Sequence, residues 1–356
     1  MKRRWKVLLG VGGAFVALAA VPILYIEIGC RGAAPKGPAY RPLIREAEWR
    51  REEARTWLTY PEWHIVYSAD SFGRFLEKNP PSGYSYLRDI KGFWSGYCAV
   101  NKASAASGGA DAGTRVMLYT IGLSFSAELL IKGLYENTIG RLFEWIGGWD
   151  SADDRYAAKV QQRYGAFMHE TPWYEFPFGE ALAGLWGTTE PKRHVRHWER
   201  RFALSGEYGV KTGYAKLIGA ASGASLGRDE RTLRFVTSAS PAMVRNVDAR
   251  LKPIGGTANG TIVEAPRYAQ FTELLTKLSQ SNVKLTEISG NDDVFLTALV
   301  RTNAKSLPGA SQLMAMPLAD RPGWQRVGLS TKVPELLPLM RAIRSSGGSV
   351  EHVYDY

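Results

Sequence analysis

The first apolar run of the chain has the length of a membrane-spanning helix. Val7 to Ile26 holds no charged residue, and it follows a basic opening with four Lys or Arg in residues 1–6. At about 1.5 Å of rise per residue, such a helix matches a hydrocarbon layer of about 30 Å. Because basic flanks stay in the cytoplasm, the pattern predicts a transmembrane anchor over residues 1–29 with a cytoplasmic amino end. A cleaved signal peptide is the alternative, but the apolar run outlasts the usual signal core.

Residues 30–227 show helical periodicity and are predicted to form a mainly α-helical domain close to the membrane. The second most apolar stretch is Val116 to Tyr135, and every fourth position along it is polar, namely Thr120, Ser124, Glu128, Lys132 and Glu136. These residues lie on one helical face, where the spacing lets Glu128 and Lys132 pair with each other. A charge at the bilayer centre costs about 2.5–3.5 kcal/mol. We therefore predict a buried or interfacial helix, with a second membrane span over 116–135 as the alternative.

From residue 228 onward the apolar pattern changes to the alternation of β-strands. Strand-like segments occur at Leu233–Thr237, Gly260–Glu264, Val283–Ile288, Val294–Val300, Gln312–Met316, Arg326–Leu329 and Val350–Tyr354. Helical patterns at Tyr268–Ser281 and Pro334–Ser345 interrupt them. This order predicts a ferredoxin-like α/β sandwich with an added hairpin over 228–356. The predicted fold class is thus α+β: an N-terminal transmembrane helix, a mainly helical aromatic-rich domain, and this sandwich.

The net charge of +11 indicates an anionic partner. The basic residues are scattered and accompany a membrane anchor, which favours anionic lipid headgroups over nucleic acid. In the helical segment Arg193–Phe202, we take Val195, Trp198 and Phe202 as the inward face. The opposite face then carries the predicted headgroup contacts Arg193, Arg196, Arg200 and Arg201, together with His194 and His197.

Two short segments combine histidine with carboxylate and are the candidates for metal chemistry. Glu62 and His64 lie in one, and His169 and Glu170 lie in the other. Such groups bind zinc or non-haem iron if a fold brings them together, but their spacing matches no known ligand signature. The dense aromatic surroundings favour a hydrogen-bonded core instead, so no metal or cofactor is predicted.

The only cysteines are Cys30 and Cys98, which excludes a disulfide-dense scaffold and any CxxC site. Two unpaired thiols are expected. A single Cys30–Cys98 bridge is the alternative if both residues lie outside the cytoplasm.

Together these patterns predict a single-pass protein of the cell membrane (the inner membrane in a bacterium), with the bulk of the chain outside the cytoplasm. The predicted partner is the bilayer, through residues 7–26, and the predicted role is non-enzymatic binding or scaffolding at the membrane surface. One alternative is a membrane-bound metal-dependent enzyme that uses the two His/Glu segments. Another is a small transport component in which Val116–Tyr135 and Tyr208–Leu226 also cross the bilayer.

Overall fold

The computed structural model describes residues 19–34, 40–190, 192–221, 231–258, 260–304 and 307–356. Residues 7–18, which form most of the predicted anchor, lie outside the described residues. From Ala19 the predicted anchor continues as helix α1 (Ala19–Gly29), which is apolar but short.

A helical part follows α1 and is built from α-helices joined by short turns. Its helices are α2 (Arg55–Leu58), α3 (Tyr60–Leu76), α4 (Tyr86–Ser104), α5 (Ala112–Tyr135), α6 (Arg141–Gly147), α7 (Ala152–Met168), α8 (Phe178–Trp186) and α9 (His194–Ala221). A π-helical turn, Glu136–Gly140, joins α5 directly to α6. The resulting helix, Ala112–Gly147, is the one described helix that is long and apolar enough to cross a membrane. A third of its most apolar window is buried, and one such helix is weak evidence for a span because length and composition of this kind also occur in core helices of soluble proteins.

The remainder of the chain is a sheet part that mixes helices with antiparallel strands. The first sheet has the order β2-β3-β1-β4 and contains β1 (Thr232–Thr237), β2 (Lys252–Thr257), β3 (Gly260–Pro266) and β4 (Leu285–Ile288). The second has the order β6-β7-β5-β8 and contains β5 (Asp293–Arg301), β6 (Ala310–Pro317), β7 (Trp324–Lys332) and β8 (Ser349–Tyr354). The helices are α10 (Pro241–Val247), α11 (Ala269–Ser279) and α12 (Val333–Ser345).

The two sheets have the same strand order and share one helical connection, although no repeat is visible in the sequence. In each, a helix links the third strand to the fourth: α11 joins β3 to β4, and α12 joins β7 to β8. The described residues therefore form two four-stranded sheets instead of the predicted single sandwich with a hairpin. Both helices pack against both sheets around one hydrophobic core, which includes Phe235, Leu274, Leu296 and Ile343.

The helical and sheet parts share a packed boundary rich in aromatic side chains. Thr56 of α2 donates a hydrogen bond to the Tyr354 carbonyl (2.6 Å) and accepts one from the Phe295 amide (3.0 Å). Phe295 and Tyr354 belong to the same buried cluster as Tyr60, Phe93 and Tyr97 of the helical part. The second sheet thus contacts the α2–α4 side of the helical part.

Cys30 and Cys98 form a disulfide that fastens the segment after α1 to helix α4. The expectation of two unpaired thiols is wrong. The side-chain amide of Asn101, one turn along α4, donates to the Cys30 carbonyl at 3.0 Å, so the bridge is supported by a second contact between the same segments.

Candidate functional site

Helix α9 has its charged face inside the protein and its apolar face outside. Arg196 and Arg200 are 0% and 2% exposed, whereas Trp198 and Phe202 are 59% and 78% exposed. The orientation predicted from the sequence is therefore reversed. Headgroup contact is wrong for Arg196 and Arg200, and His197 is buried as well, with its ring bonded to Asp153.

The two other predicted headgroup contacts are half-buried and bonded within the protein. Arg193 donates to the Asp150 carbonyl at 3.3 Å. Arg201 donates to the Trp186 carbonyl at 3.3 Å, and its guanidinium lies 5.1 Å from the Trp186 ring centroid and 5.5 Å from that of Trp198. Headgroup contact by Arg193 and Arg201 stays a prediction.

A ladder of ion pairs joins α9 to the long helix that contains α5 and α6. Glu128 pairs with Lys211 at 2.8 Å, and Lys132 pairs with Glu207 at 2.9 Å. Glu136 follows one turn after Lys132, and its carboxylate accepts two hydrogen bonds, of 2.9 and 3.1 Å, from Arg200, which lies two turns before Glu207 on α9. The residue numbers rise on one helix as they fall on the other, so the helices are antiparallel. We call these pairs the ion-pair ladder.

One turn before Arg200 on α9, a second buried guanidinium, that of Arg196, lies at the end of the ladder. This guanidinium contacts Asp154 of α7 at 2.9 Å, Glu199 at 3.0 Å and Glu144 of α6 at 3.4 Å. Burial alone would raise the pKa of Asp154, but the positive charge of Arg196 holds that pKa below its ordinary value. Three carboxylates therefore satisfy one buried guanidinium, which is the condition under which a buried charge is tolerated.

Local backbone features make room for the ladder. Ser151 caps α7 in a capping box with Asp154, which fixes that carboxylate at the helix start. At Gly140, a Cβ atom would lie 2.5 Å from the Glu136 carboxylate, so glycine leaves the space that this carboxylate occupies. Gly140 closes the π-helical turn, a rare element that is frequent at functional sites.

Outside the ladder, α5, α6 and α9 expose a set of large apolar side chains that we call the apolar surface. Its members are Leu130, Ile131, Leu134, Ile139, Leu142, Trp145, Ile146, Val195, Trp198, Phe202, Val210, Tyr214 and Leu217. On α9 they follow one helical face from Val195 to Leu217, a length of about 33 Å at 1.5 Å per residue. Trp186 of α8 extends the surface beside Trp198, with ring centroids 6.4 Å apart. Exposed apolar patches of this extent indicate an interaction site.

A cavity of about 250 Å³ lies behind the ladder, between α3, α7 and α9. Its charged wall includes Lys132, Glu136, Arg200 and Glu207, and its apolar wall includes Phe72 and Leu204. Those four charged groups already pair with one another across the ladder.

The structure does not bring the four candidate metal ligands together. The buried His64 ring lies 3.0 Å from the Asp89 carbonyl through Nε2, and burial lowers its pKa to about 4. His169 bonds to Asp70 at 2.8 Å, which raises the pKa of His169, while Glu62 and Glu170 are exposed. Among the described residues, the one group of ligand atoms within 4.8 Å of one another belongs to Glu53, Asp292 and Asp293. Lys332 already pairs with both aspartates, at 2.9 and 2.8 Å.

The pairing of the α9 ladder residues was not predicted from the sequence, although a signal for it exists. Reading α9 backwards, Lys211, Glu207 and Arg200 carry the charge order plus, minus, plus. This is the complement of the minus, plus, minus order of Glu128, Lys132 and Glu136. Glu128 and Lys132 were expected to pair with each other, and instead each pairs across to α9.

No known protein family, curated protein or solved structure matches the chain.

Proposed function

We propose that the protein is a non-enzymatic binding or scaffold protein of the membrane surface, and that its apolar surface lies in the hydrocarbon of a bilayer. The observation that carries this proposal is the reversed polarity of α9. In water, the apolar face of a surface helix turns inward. In lipid the preference is the opposite, since charged groups then face the protein interior and pair there.

The free energy gained by removing the apolar surface from water supports the bilayer as the medium outside α9. Removing a large apolar side chain fully from water contributes about 1.5–3 kcal/mol. Trp145 and Phe202 alone are 84% and 78% exposed, and the rest of the apolar surface adds to them. The transfer of this surface into lipid would therefore hold the helical part at the membrane, in addition to the predicted anchor at residues 7–26.

The position of the disulfide supports an extracytoplasmic location for the body of the protein. Disulfides form and persist in oxidising compartments. An anchor with a cytoplasmic amino end would deliver Cys30 to the opposite side, where the bridge to Cys98 could form. The sheet part packs on the α2–α4 side, so we propose that it projects from the membrane and carries the binding role.

We also propose that each half of the sheet part is a ferredoxin-like unit. The order β2-β3-β1-β4, with α10 after β1 and α11 after β3, corresponds to the β-α-β-β-α-β arrangement. The second half has the same order with α12 in the second helical position.

The metal-dependent enzyme is the alternative function, but its four candidate ligands, two His and two Glu residues, do not form one cluster in the fold. It is tested by elemental analysis of the detergent-purified protein, where about one zinc or iron per chain would restore it.

The proposed function is tested by placing an environment-sensitive fluorophore on the apolar surface. Phe202→Cys is labelled in the full chain without reductant, because both native cysteines are in the disulfide. Lys159→Cys, on the exposed side of α7, is the matched control. In liposomes with brominated acyl chains, the label at position 202 should be quenched and the label at 159 should not. Equal exposure of both labels to water would contradict the proposal.

A further inference from the structure

We propose that α6 and α9 lie in the plane of the membrane within one leaflet, and that the apolar surface contacts the acyl chains of that leaflet without crossing the bilayer. This inference rests on the proposed function. It specifies the partner as a lipid leaflet and the contact as interfacial, which excludes a transport role for these helices.

The position of α7 relative to α9 is the first argument. The two helices run side by side along the ladder: Asp154 contacts Arg196 at 2.9 Å, and Lys211 lies 5.2 Å from the Tyr164 ring centroid. Between these contacts, Val160 and Leu204 share one buried cluster. The α7 segment between Asp154 and Tyr164 therefore lies alongside the stretch of α9 between Arg196 and Lys211.

The exposed side of α7 is strongly basic. Arg155, Lys159 and Arg163 are all exposed, and they lie between the two ends of the ladder. If α9 crossed the bilayer, these three cations would stand at hydrocarbon depth, where each is costly. With the helices in the plane of the membrane, the apolar surface enters the leaflet while α7 remains at the level of water or headgroups.

The tryptophans at one end of the apolar surface fit an interfacial position. Trp186 and Trp198 flank the guanidinium of Arg201, which itself donates to the Trp186 carbonyl. This contact fixes two exposed indole rings beside a cation, and Trp side chains favour the headgroup level of a bilayer. Interfacial helices insert their apolar face about 5–10 Å into the boundary of headgroups and acyl chains.

The test is a depth profile along α9. Single cysteines replace Trp198, Phe202, Val210 and Leu217 in the full chain, each carries a nitroxide, and the variants are reconstituted in phosphatidylcholine–phosphatidylglycerol vesicles. The relative accessibility to oxygen and to a water-soluble nickel complex reports the depth of each label. We expect all four labels at a similar depth, about 5–10 Å below the phosphates. Lys159→Cys is the control and should show no insertion.

Each other outcome has a distinct meaning. A depth that is greatest near Val210 and shallow at Trp198 and Leu217 would overturn the in-plane orientation and leave the proposed function intact. Water exposure at all four positions would overturn both proposals. Spin–spin broadening at Phe202→Cys that persists when the protein is diluted in lipid would show a second copy on the surface, which overturns the assignment of lipid as its partner.

Discussion

Removal of the Arg200 guanidinium should destabilise the helical part more than any change on its exposed faces. Arg200 is 2% exposed and forms two hydrogen bonds with Glu136, of 2.9 and 3.1 Å, and a third with Glu199 at 2.8 Å. Arg200→Met keeps much of the side-chain volume but leaves the Glu136 carboxylate, 4% exposed, without its cation. Breaking one side of a buried ion pair costs about 3–5 kcal/mol.

A double-mutant cycle separates this pair from general damage. Glu136→Met removes the other partner, and the double variant removes both charges, so no buried charge remains unpaired at this rung. Replacing a whole buried pair is often close to neutral, and we therefore expect the double variant to be more stable than Arg200→Met alone. Glu199 retains Arg196 at 3.0 Å and the Tyr135 hydroxyl at 2.8 Å in both variants.

Unfolding in mixed detergent micelles, followed by tryptophan fluorescence, measures these differences. Arg155→Met is the control, because Arg155 is exposed and its pair with Asp150 is open to solvent. Surface changes of this kind usually fall within about 0.5 kcal/mol. If Arg200→Met were no more destabilising than this control, the ion-pair ladder would not contribute to the stability of the helical part.

Three further outcomes follow from the described residues. Cys30→Ser with Cys98→Ser should lower the free energy of unfolding by about 4 kcal/mol, from the closure entropy of a loop with a sequence separation of 68; an equal loss in reductant alone would confirm the cause. Burial lowers the pKa of His64 to about 4 and of His352 to about 3, so their contribution to stability is present above pH 6.5 and is lost as the pH falls towards these values. His352→Gln, measured from pH 7 to 4, should flatten this decline. Asp70 raises the pKa of His169, so that contribution has the opposite sign: it is present below pH 6.5 and is lost as the pH rises through the folded value, and Asp70→Asn should remove it.

Much of the sheet part could be predicted from the sequence, because its strands and helices turn their apolar residues towards the protein core, as sequence periodicity assumes. Each predicted strand overlaps an observed strand, and both predicted helices of this part are present as α11 and α12. Strand β2 was missed because Pro253, Gly255 and Gly256 are poor strand residues, tolerated here at a sheet edge. The second sheet was missed because strand order depends on pairings between residues distant in sequence.

The helical part was predicted less well, for a different physical reason. The periodicity along α9 separates an apolar face from a charged face, but it does not indicate whether water or lipid surrounds this part of the protein. Taking water as that medium placed Trp198 and Phe202 inside and Arg196 and Arg200 outside, and the structure has the reverse. The disulfide was underestimated for a similar reason, since only the packing of α4 against the segment after α1 brings Cys30 to Cys98.

The charge order of the ladder explains why the apolar surface has one fixed position. If α9 slipped by one turn in one direction, Glu128 would face Glu207, and in the other direction Lys132 would face Lys211. The second shift would place two largely buried cations side by side, and the first would place the largely buried Glu207 beside a second carboxylate, so either shift is more costly than a shift between apolar faces. Polar groups at a helix interface are best attested as devices that set register. The ladder therefore fixes both the register and the rotation of α9, and Trp198 and Phe202 face outward as a consequence of the buried ion pairs.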